Sequence, residues 1–259
     1  MQPTARAVPV HIVGAGPGDP ELLTLKAARL LRGAEVVLHD ALVAPAVLAL
    51  ASQARLVDVG KRAHRPSTSQ RFINRMLVTA ARRYARVVRL KGGDPTIFGR
   101  LDEEMAALRA ADIAFEIVPG VTAACAAAAS LQASLTQRGV ARAVRFVTPR
   151  VAPDMPADTG QGDTIAIYMA GQLVAETAQR LIDEGRSPAT PLLLVEAAST
   201  PQERQWIGTL AQAEQLAQQR EADHAGGPVV LLAGDALAQV LARQEGAMQA
   251  FTSPRRAVA

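Results

Sequence analysis

The chain has 259 residues, 49% hydrophobic and only 3% aromatic, with a formal net charge of +4. That length suits one large or two ordinary domains with real cores. No run reaches the ~18 apolar residues a membrane-spanning helix needs, and the single cysteine, Cys125, rules out an internal disulfide and a thiolate metal cluster.

Strand-like and helix-like segments alternate along the chain. Val8–Val13 reads as a strand. Leu22–Arg32 follows as a helix, with Leu23, Ala27, Leu30 and Leu31 on one face. Glu35–His39 and Arg55–Val59 are the next strands. Ser69–Arg83 is a helix whose predicted buried stripe holds Phe72, Ile73, Met76, Leu77 and Ala80. Strand Arg86–Lys91, helix Leu101–Ala111 and strand Ala114–Val118 complete a first series. This rhythm predicts a mostly parallel sheet with helices on both faces.

A small-residue helix, Thr122–Leu131, leads to a second series. Its strands are Ala143–Thr148, Thr164–Met169, Leu192–Glu196, Gln205–Gly208 and Val229–Ala233, with helices Ala175–Asp183 and Leu210–Gln219 between them. Prolines and glycines over 149–162 predict a flexible loop. The expected division is an N-terminal α/β domain over 8–120 and a C-terminal one over 121–243. The tail 244–259 lacks a clear pattern and is expected to be mobile.

Two glycine-rich loops carry the most information. Gly14–Asp19 (GAGPGD) follows the first strand and Gly92–Arg100 (GGDPTIFGR) follows Arg86–Lys91. Strand ends of this kind put bare backbone at the carboxyl edge of a sheet, where open α/β sheets bind small ligands. The first loop is not the dinucleotide fingerprint, because its third glycine comes one position early. In the second, the glycines allow close approach of a ligand and Pro95 fixes the turn. Arg100 reads as a carboxylate clamp or a solvated side chain. Asp40, at the end of the second strand, reads as a ribose-binding carboxylate, a base facing the site or a helix N-cap.

Lys61, Arg62 and Arg65 form one basic cluster, and Arg138, Arg142, Arg145 and Arg150 another. Without interleaved aromatics these favour an anion-rich small substrate over a nucleic-acid track. His11, His39, His64 and His224 show no ligand spacing, so no metal site is expected. Cys125, within alanine-rich Val121–Ala133, is expected to be a small buried core thiol. The first residues, MQPTARAVP, carry no apolar targeting core, and a cytoplasmic, soluble chain is expected.

Taken in order, V-G-A-G-P-G-D-P-E-L-L-T (13–24), V-G-K-R-A (59–63), R-L-K-G-G-D-P-x-I-F-G-R (89–100), V-P-G-V-T-A (118–123), S-L-T-Q-R (134–138), R-F-V-T (145–148) and Y-M (168–169) resemble the S-adenosylmethionine-dependent uroporphyrinogen III C-methyltransferases. The resemblance covers about Val10 to Gly234. It implies two α/β domains with mainly parallel or mixed sheets, a cofactor in the cleft between them, and a homodimer. It implies S-adenosylmethionine as methyl donor and S-adenosylhomocysteine as product. The reaction implied is C-methylation of uroporphyrinogen III at C2 and C7, giving precorrin-2 for sirohaem or cobalamin.

The resemblance also implies roles. Cofactor contacts fall on Pro17, Gly92, Gly93, Asp94, Ile97, Thr122, Ala123, Met169 and Ala198. The proton acceptor falls on Asp40 and the donor on Lys61. Arg62, Arg100, Glu103 and Arg138 are implied to bind the polycarboxylate substrate; no nucleic acid or membrane is a partner. The chain departs from the family at Leu101 and Asp102, at Pro149 and Arg150, at His64 and at Ala198. Methylation of a later corrin precursor and non-catalytic binding of a tetrapyrrole or S-adenosylmethionine are the competing readings.

Overall fold

The computed structural model of the chain describes residues 8–60, 69–149, 162–224 and 226–252. The chain divides into two compact units, Met1–Ala123 and Ala124–Ala259.

In the first unit, β1 (Val10–Gly14), β2 (Val36–His39), β3 (Arg55–Asp58), β4 (Val87–Lys91) and β5 (Phe115–Val118) form one sheet in the order β3-β2-β4-β1-β5. Every pairing is parallel. Parallel neighbours need crossovers, and here these carry α1 (Leu25–Arg32), α2 (Pro45–Leu48), α3 (Gln70–Arg83) and α4 (Leu101–Ala110). Helices α1 and α2 pack with Val13, Val37 and Val88 on one face. Helices α3 and α4 pack with Ile12, Leu38 and Val87 on the other. Strands covered on both sides lose the in–out alternation of a half-exposed sheet, which is why β4 is buried at all five positions.

Local chemistry sets the helix ends. Helix α1 starts at Leu25, later than the expected Leu22. A short 3-10 turn, Pro20–Leu22, comes first, and the Thr24 hydroxyl then caps α1 by accepting the Ala27 N–H at 3.1 Å. Helix α3 buries Ile73, Leu77 and Ala80. Phe72, expected in that stripe, is 45% exposed and carries the Arg75 guanidinium over its ring. It sits beside the i, i+4, i+7 line through Ile73 rather than on it.

The second unit is built from α5 (Ala123–Ser130) beyond its first residue, β6 (Val144–Val147), β7 (Thr164–Tyr168), α6 (Val174–Asp183), β8 (Pro191–Glu196), β9 (Arg204–Thr209), α7 (Ala213–Ala222), β10 (Val229–Ala233) and α8 (Ala238–Thr252). The strand order is β6-β7-β10-β8-β9. Only β6 and β7 pair in parallel; the other three pairings are antiparallel, so the sheet is mixed. β10 runs opposite to both neighbours, which leaves β7 and β8 pointing the same way. Ile165, Ile167, Leu192, Leu194 and Leu231 meet Val174, Leu181 and Leu216 in its core.

Three expectations change here. Helix α7 begins at Ala213, because Leu210–Gln212 forms a 3-10 turn closed by a Thr209–Gln212 capping box. Cys125 is exposed, not a core thiol: α5 buries Ala124, Ala126, Ala127 and Ala128 and turns the cysteine outward. Residues 244–252, expected to be irregular, continue helix α8. Most of the expected 149–162 loop lies outside the described residues. Among those described, no helix is long and apolar enough to cross a membrane.

Candidate functional site

Strands β1 and β4 are neighbours, yet the helices after them, α1 and α4, pack on opposite faces. The chain therefore leaves the sheet in two directions, the topology that opens a ligand crevice at the carboxyl ends of parallel strands. Both glycine loops start there. They are tied by a reciprocal pair of bonds: Gly16 N–H donates to Gly93 O at 3.2 Å and Gly93 N–H to Gly16 O at 2.8 Å.

The glycines divide by what surrounds them. A Cβ on Gly14 would lie 2.7 Å from Gly120 Cα, and one on Gly120 would lie 2.4 Å from Gly93 O. Those two let the loops after β1, β4 and β5 pack together. A Cβ on Gly92 would meet nothing nearer than Leu42 Cβ at 3.6 Å, and one on Gly93 nothing nearer than Thr122 Cα at 4.0 Å. Bare backbone with room beside it is what a closely held ligand requires. Pro17, Ile97, Thr122 and Ala123 are half-buried around this edge. The Asp94 side chain works within the loops: Oδ2 accepts the Gly120 N–H at 2.9 Å and Oδ1 the Thr96 N–H at 2.7 Å.

Asp40 follows β2 at the same edge. It is not a helix cap, since Ala44 precedes α2. Its Oδ1 accepts from Arg89 Nη2 at 2.5 Å. Arg89 is 2% exposed and Asp40 30%. Arg89 Nε also donates to Glu104 Oε1 at 2.9 Å, and Lys91 Nζ donates to the same oxygen at 3.0 Å. Four charged groups thus neutralise one another under α4. Burial, followed by the nearby Arg89 guanidinium, pushes the Lys91 ammonium below its ordinary value, against the pull of Glu104. The run Arg86–Lys91 predicts a strand, and this network goes beyond that expectation. Its signal was there: two cations two positions apart face the same way in a strand, and in a two-sided sheet they need buried counter-charges.

Beyond Gly93 the loop turns sharply. Phe98 and Arg100 have φ of 49° and 52°, uncommon for residues with side chains. Gly99 between them is obligatory, because a Cβ there would sit 2.7 Å from Pro95 O and 2.9 Å from Lys91 Cε. The Arg100 fork grips Glu103, Nε to Oε1 at 2.6 Å and Nη2 to Oε2 at 2.9 Å, with Arg100 exposed and Glu103 half-buried. Arg138 is exposed on the tight turn between Gln137 and Ala141, whose backbones bond in both directions. Lys61, Arg62 and Arg65 lie outside the described residues.

In the second unit, β7 and β8 end on the same sheet edge. Met169, after β7, has φ 61° and is 64% exposed. Ala197 and Ser199, after β8, have φ of 49° and 62°, and Ala198 between them is buried. Left-handed residues that are not glycine cluster at ligand clamps. A second pair missed in the sequence holds this edge. Arg220 Nε donates to Glu196 Oε2 at 2.6 Å and Nη1 to Gly171 O at 2.9 Å; Glu196 Oε1 accepts the N–H groups of Gly226 and Gly227, each at 2.9 Å.

Residues 9–214 match the family of tetrapyrrole (corrin/porphyrin) methylases. The chain belongs to that family. It is 44% identical over 232 residues to a siroheme synthase of Psychrobacter sp. (strain PRwf-1), a match covering 87% of this chain and 47% of that protein. The chain spans about half the length of the curated relatives it matches. Among solved structures, it resembles the uroporphyrin-III C-methyltransferase of Thermus thermophilus, complexed with S-adenosylhomocysteine. That match has a TM-score of 0.75 and 39% identity over 89% of this chain and 99% of the other. A cobalt precorrin-4 methyltransferase matches with a TM-score of 0.77 and 28% identity, covering 89% of this chain and 96% of that one. The two α/β units, one sheet parallel and one mixed, are the tetrapyrrole methyltransferase type of fold.

Proposed function

We propose that this methylase transfers methyl groups from S-adenosylmethionine to C2 and C7 of uroporphyrinogen III, giving precorrin-2. The observation that carries the reading is the likeness over 99% of a solved uroporphyrin-III C-methyltransferase, joined to the open Gly92–Gly93 backbone at the switch point of the first sheet.

Bound S-adenosylmethionine supplies an electrophilic methyl group on a positively charged sulfur. Gly92 and Gly93 have the room to hold it by backbone, flanked by Pro17, Ile97, Thr122 and Ala123. Met169 and Ala198 are the residues proposed for it in the second unit. The attacking ring carbon gives an electron pair to the methyl carbon as the carbon–sulfur bond leaves its pair on sulfur. The positive charge passed to the macrocycle is then discharged by loss of a proton. Asp40, half-exposed at the sheet edge, is the proposed acceptor. Lys61 is the proposed donor.

Carboxylates of the substrate call for arginine forks. Arg100, Arg138 and Arg62 are proposed for that task. Arg100 already grips a carboxylate, that of Glu103, so a substrate carboxylate exchanges with it or adds beside it. A cytoplasmic homodimer with no nucleic-acid or membrane partner completes the reading.

The test is anaerobic incubation with S-adenosylmethionine and freshly generated uroporphyrinogen III, followed by mass spectrometry of the tetrapyrrole. A gain of two methyl groups supports the reading. The likeness to a cobalt precorrin-4 methyltransferase favours a second one, methylation of a later corrin precursor. No gain on uroporphyrinogen III with S-adenosylmethionine still bound turns the assignment that way.

A further inference from the structure

We propose that Arg89 is a positioning residue of the methyl-transfer site, holding the Asp40 carboxylate from inside the sheet so that one oxygen is fixed and the other faces the carboxyl edge. The proposal rests on the reading of Asp40 as proton acceptor.

The geometry is specific. In the register of β2 and β4, Leu38 lies opposite Arg89 and His39 opposite Leu90, so Asp40 emerges just past the paired region. Its backbone N–H donates to Leu90 O at 3.2 Å. The strand that holds its backbone also holds its side chain. All three guanidinium nitrogens of Arg89 are engaged: Nε on Glu104 Oε1, Nη1 on Leu90 O at 3.1 Å and Leu38 O at 3.4 Å, Nη2 on Asp40 Oδ1. A planar fork bound along three directions at 2% exposure has no freedom to turn. Among the described residues Asp40 Oδ2 takes no hydrogen bond, and the carboxylate is 30% exposed.

Glu104 and Lys91 complete the device. Glu104 is fully buried, and its Oε1 accepts from both Arg89 and Lys91. With Asp40 the cluster is balanced, two cations against two anions. Balance matters because an unpaired buried charge is strongly destabilising. Stability alone does not call for the arrangement, since buried ion networks are often replaceable by apolar side chains without loss. A base whose carboxylate must meet a proton on a fixed macrocycle does call for it, because small misplacements of a catalytic group cost orders of magnitude in rate.

The test is Arg89→Lys, which keeps the buried positive charge and loses the fork. It is made alone and with Asp40→Asn, with kcat, KM and melting temperature measured for each variant and a crystal structure solved for Arg89→Lys. The expected result is a kcat at least about tenfold lower with KM for both substrates within about twofold, and a crystal structure with the Asp40 carboxylate rotated from its place. In the Asp40→Asn background the same change is expected to cost less than about twofold, because the partner it acts through is gone.

Wild-type kcat in Arg89→Lys overturns the proposal. So does an equal loss in both backgrounds, the mark of a merely structural role. An unmoved Asp40 carboxylate in the Arg89→Lys crystal overturns it without reference to any substrate. If Asp40→Asn itself turns over normally, the assignment of Asp40 falls and the proposal with it. If Asp40→Asn is slow and Arg89→Lys is not, only the proposal falls.

Discussion

Gly120 packs its α-carbon into the place a Gly14 side chain would fill, with only 2.7 Å between that Cα and a Cβ built on Gly14. The loops after β1 and β5 therefore meet backbone to backbone. Gly120→Ala is expected to cost about 1–3 kcal/mol of stability, since the methyl group meets the fixed carbonyl of Gly93. Gly92→Ala is expected to leave stability within about 1 kcal/mol, because its Cβ has room. It is expected to weaken S-adenosylmethionine by about tenfold or more, one good hydrogen-bonded contact in the arithmetic of affinity. Denaturant melts and calorimetric titration of the two variants check the contrast. Equal stability losses would make both glycines packing residues.

Arg100 offers a second division. Arg100→Ala is expected to raise KM for the macrocycle by about tenfold, the loss of a charge-assisted hydrogen bond, with a smaller effect on kcat. Glu103→Gln keeps a partner for the fork and is expected to shift KM by less than about threefold. Steady-state kinetics on both variants decide it; an unchanged KM in Arg100→Ala returns that side chain to the solvated surface.

The main elements were legible because their signals are local. Ile73, Leu77 and Ala80 recur at helical spacing, and Val36–Leu38 and Val87–Val88 are β-branched or aliphatic runs between turn residues. The direction of the second sheet was not legible: nothing within Val229–Ala233 says that it runs against its neighbours, because parallel and antiparallel core strands share one composition. Of the site, the Gly92–Gly93 loop announced itself. The Asp40–Arg89–Glu104 chain did not, since its members are 49 and 15 residues apart in sequence and meet only once the sheet order is known. Cys125 and Phe72 depart from expectation for one reason: composition places a residue near a core but not on a face of its helix.

His11 gives stability a dependence on mild acid. Burial pushes its imidazole below 6.5, with Glu116 pulling the other way. Between that lowered value and 6.5 the unfolded chain binds more protons than the native one, so stability rises with pH across the window and is lost on acidification through it. Lys26 holds the Glu116 carboxyl below 4.5, so that group titrates beneath the window. His11→Gln is expected to flatten this stretch of the stability profile. Urea midpoints from about pH 5 to about pH 8 measure it; a slope unchanged in the variant would assign the pH dependence elsewhere.

Arg220 joins the end of β8 to the loops at Gly171 and Gly227 through one guanidinium, and its removal tests whether the edge bearing Met169 depends on it. Arg220→Met leaves Glu196 buried with its charge uncompensated, and is expected to cost about 3–5 kcal/mol. Adding Glu196→Leu is expected to recover only part of the loss, because the N–H groups of Gly226 and Gly227 then lose their acceptor. The freed Gly171 carbonyl loosens the turn after Met169, whose left-handed backbone persists only while its surroundings impose it. Weaker S-adenosylmethionine binding is therefore expected at temperatures where Arg220→Met is still fully folded. Calorimetry well below its melting transition checks this; wild-type affinity there would confine Arg220 to stability.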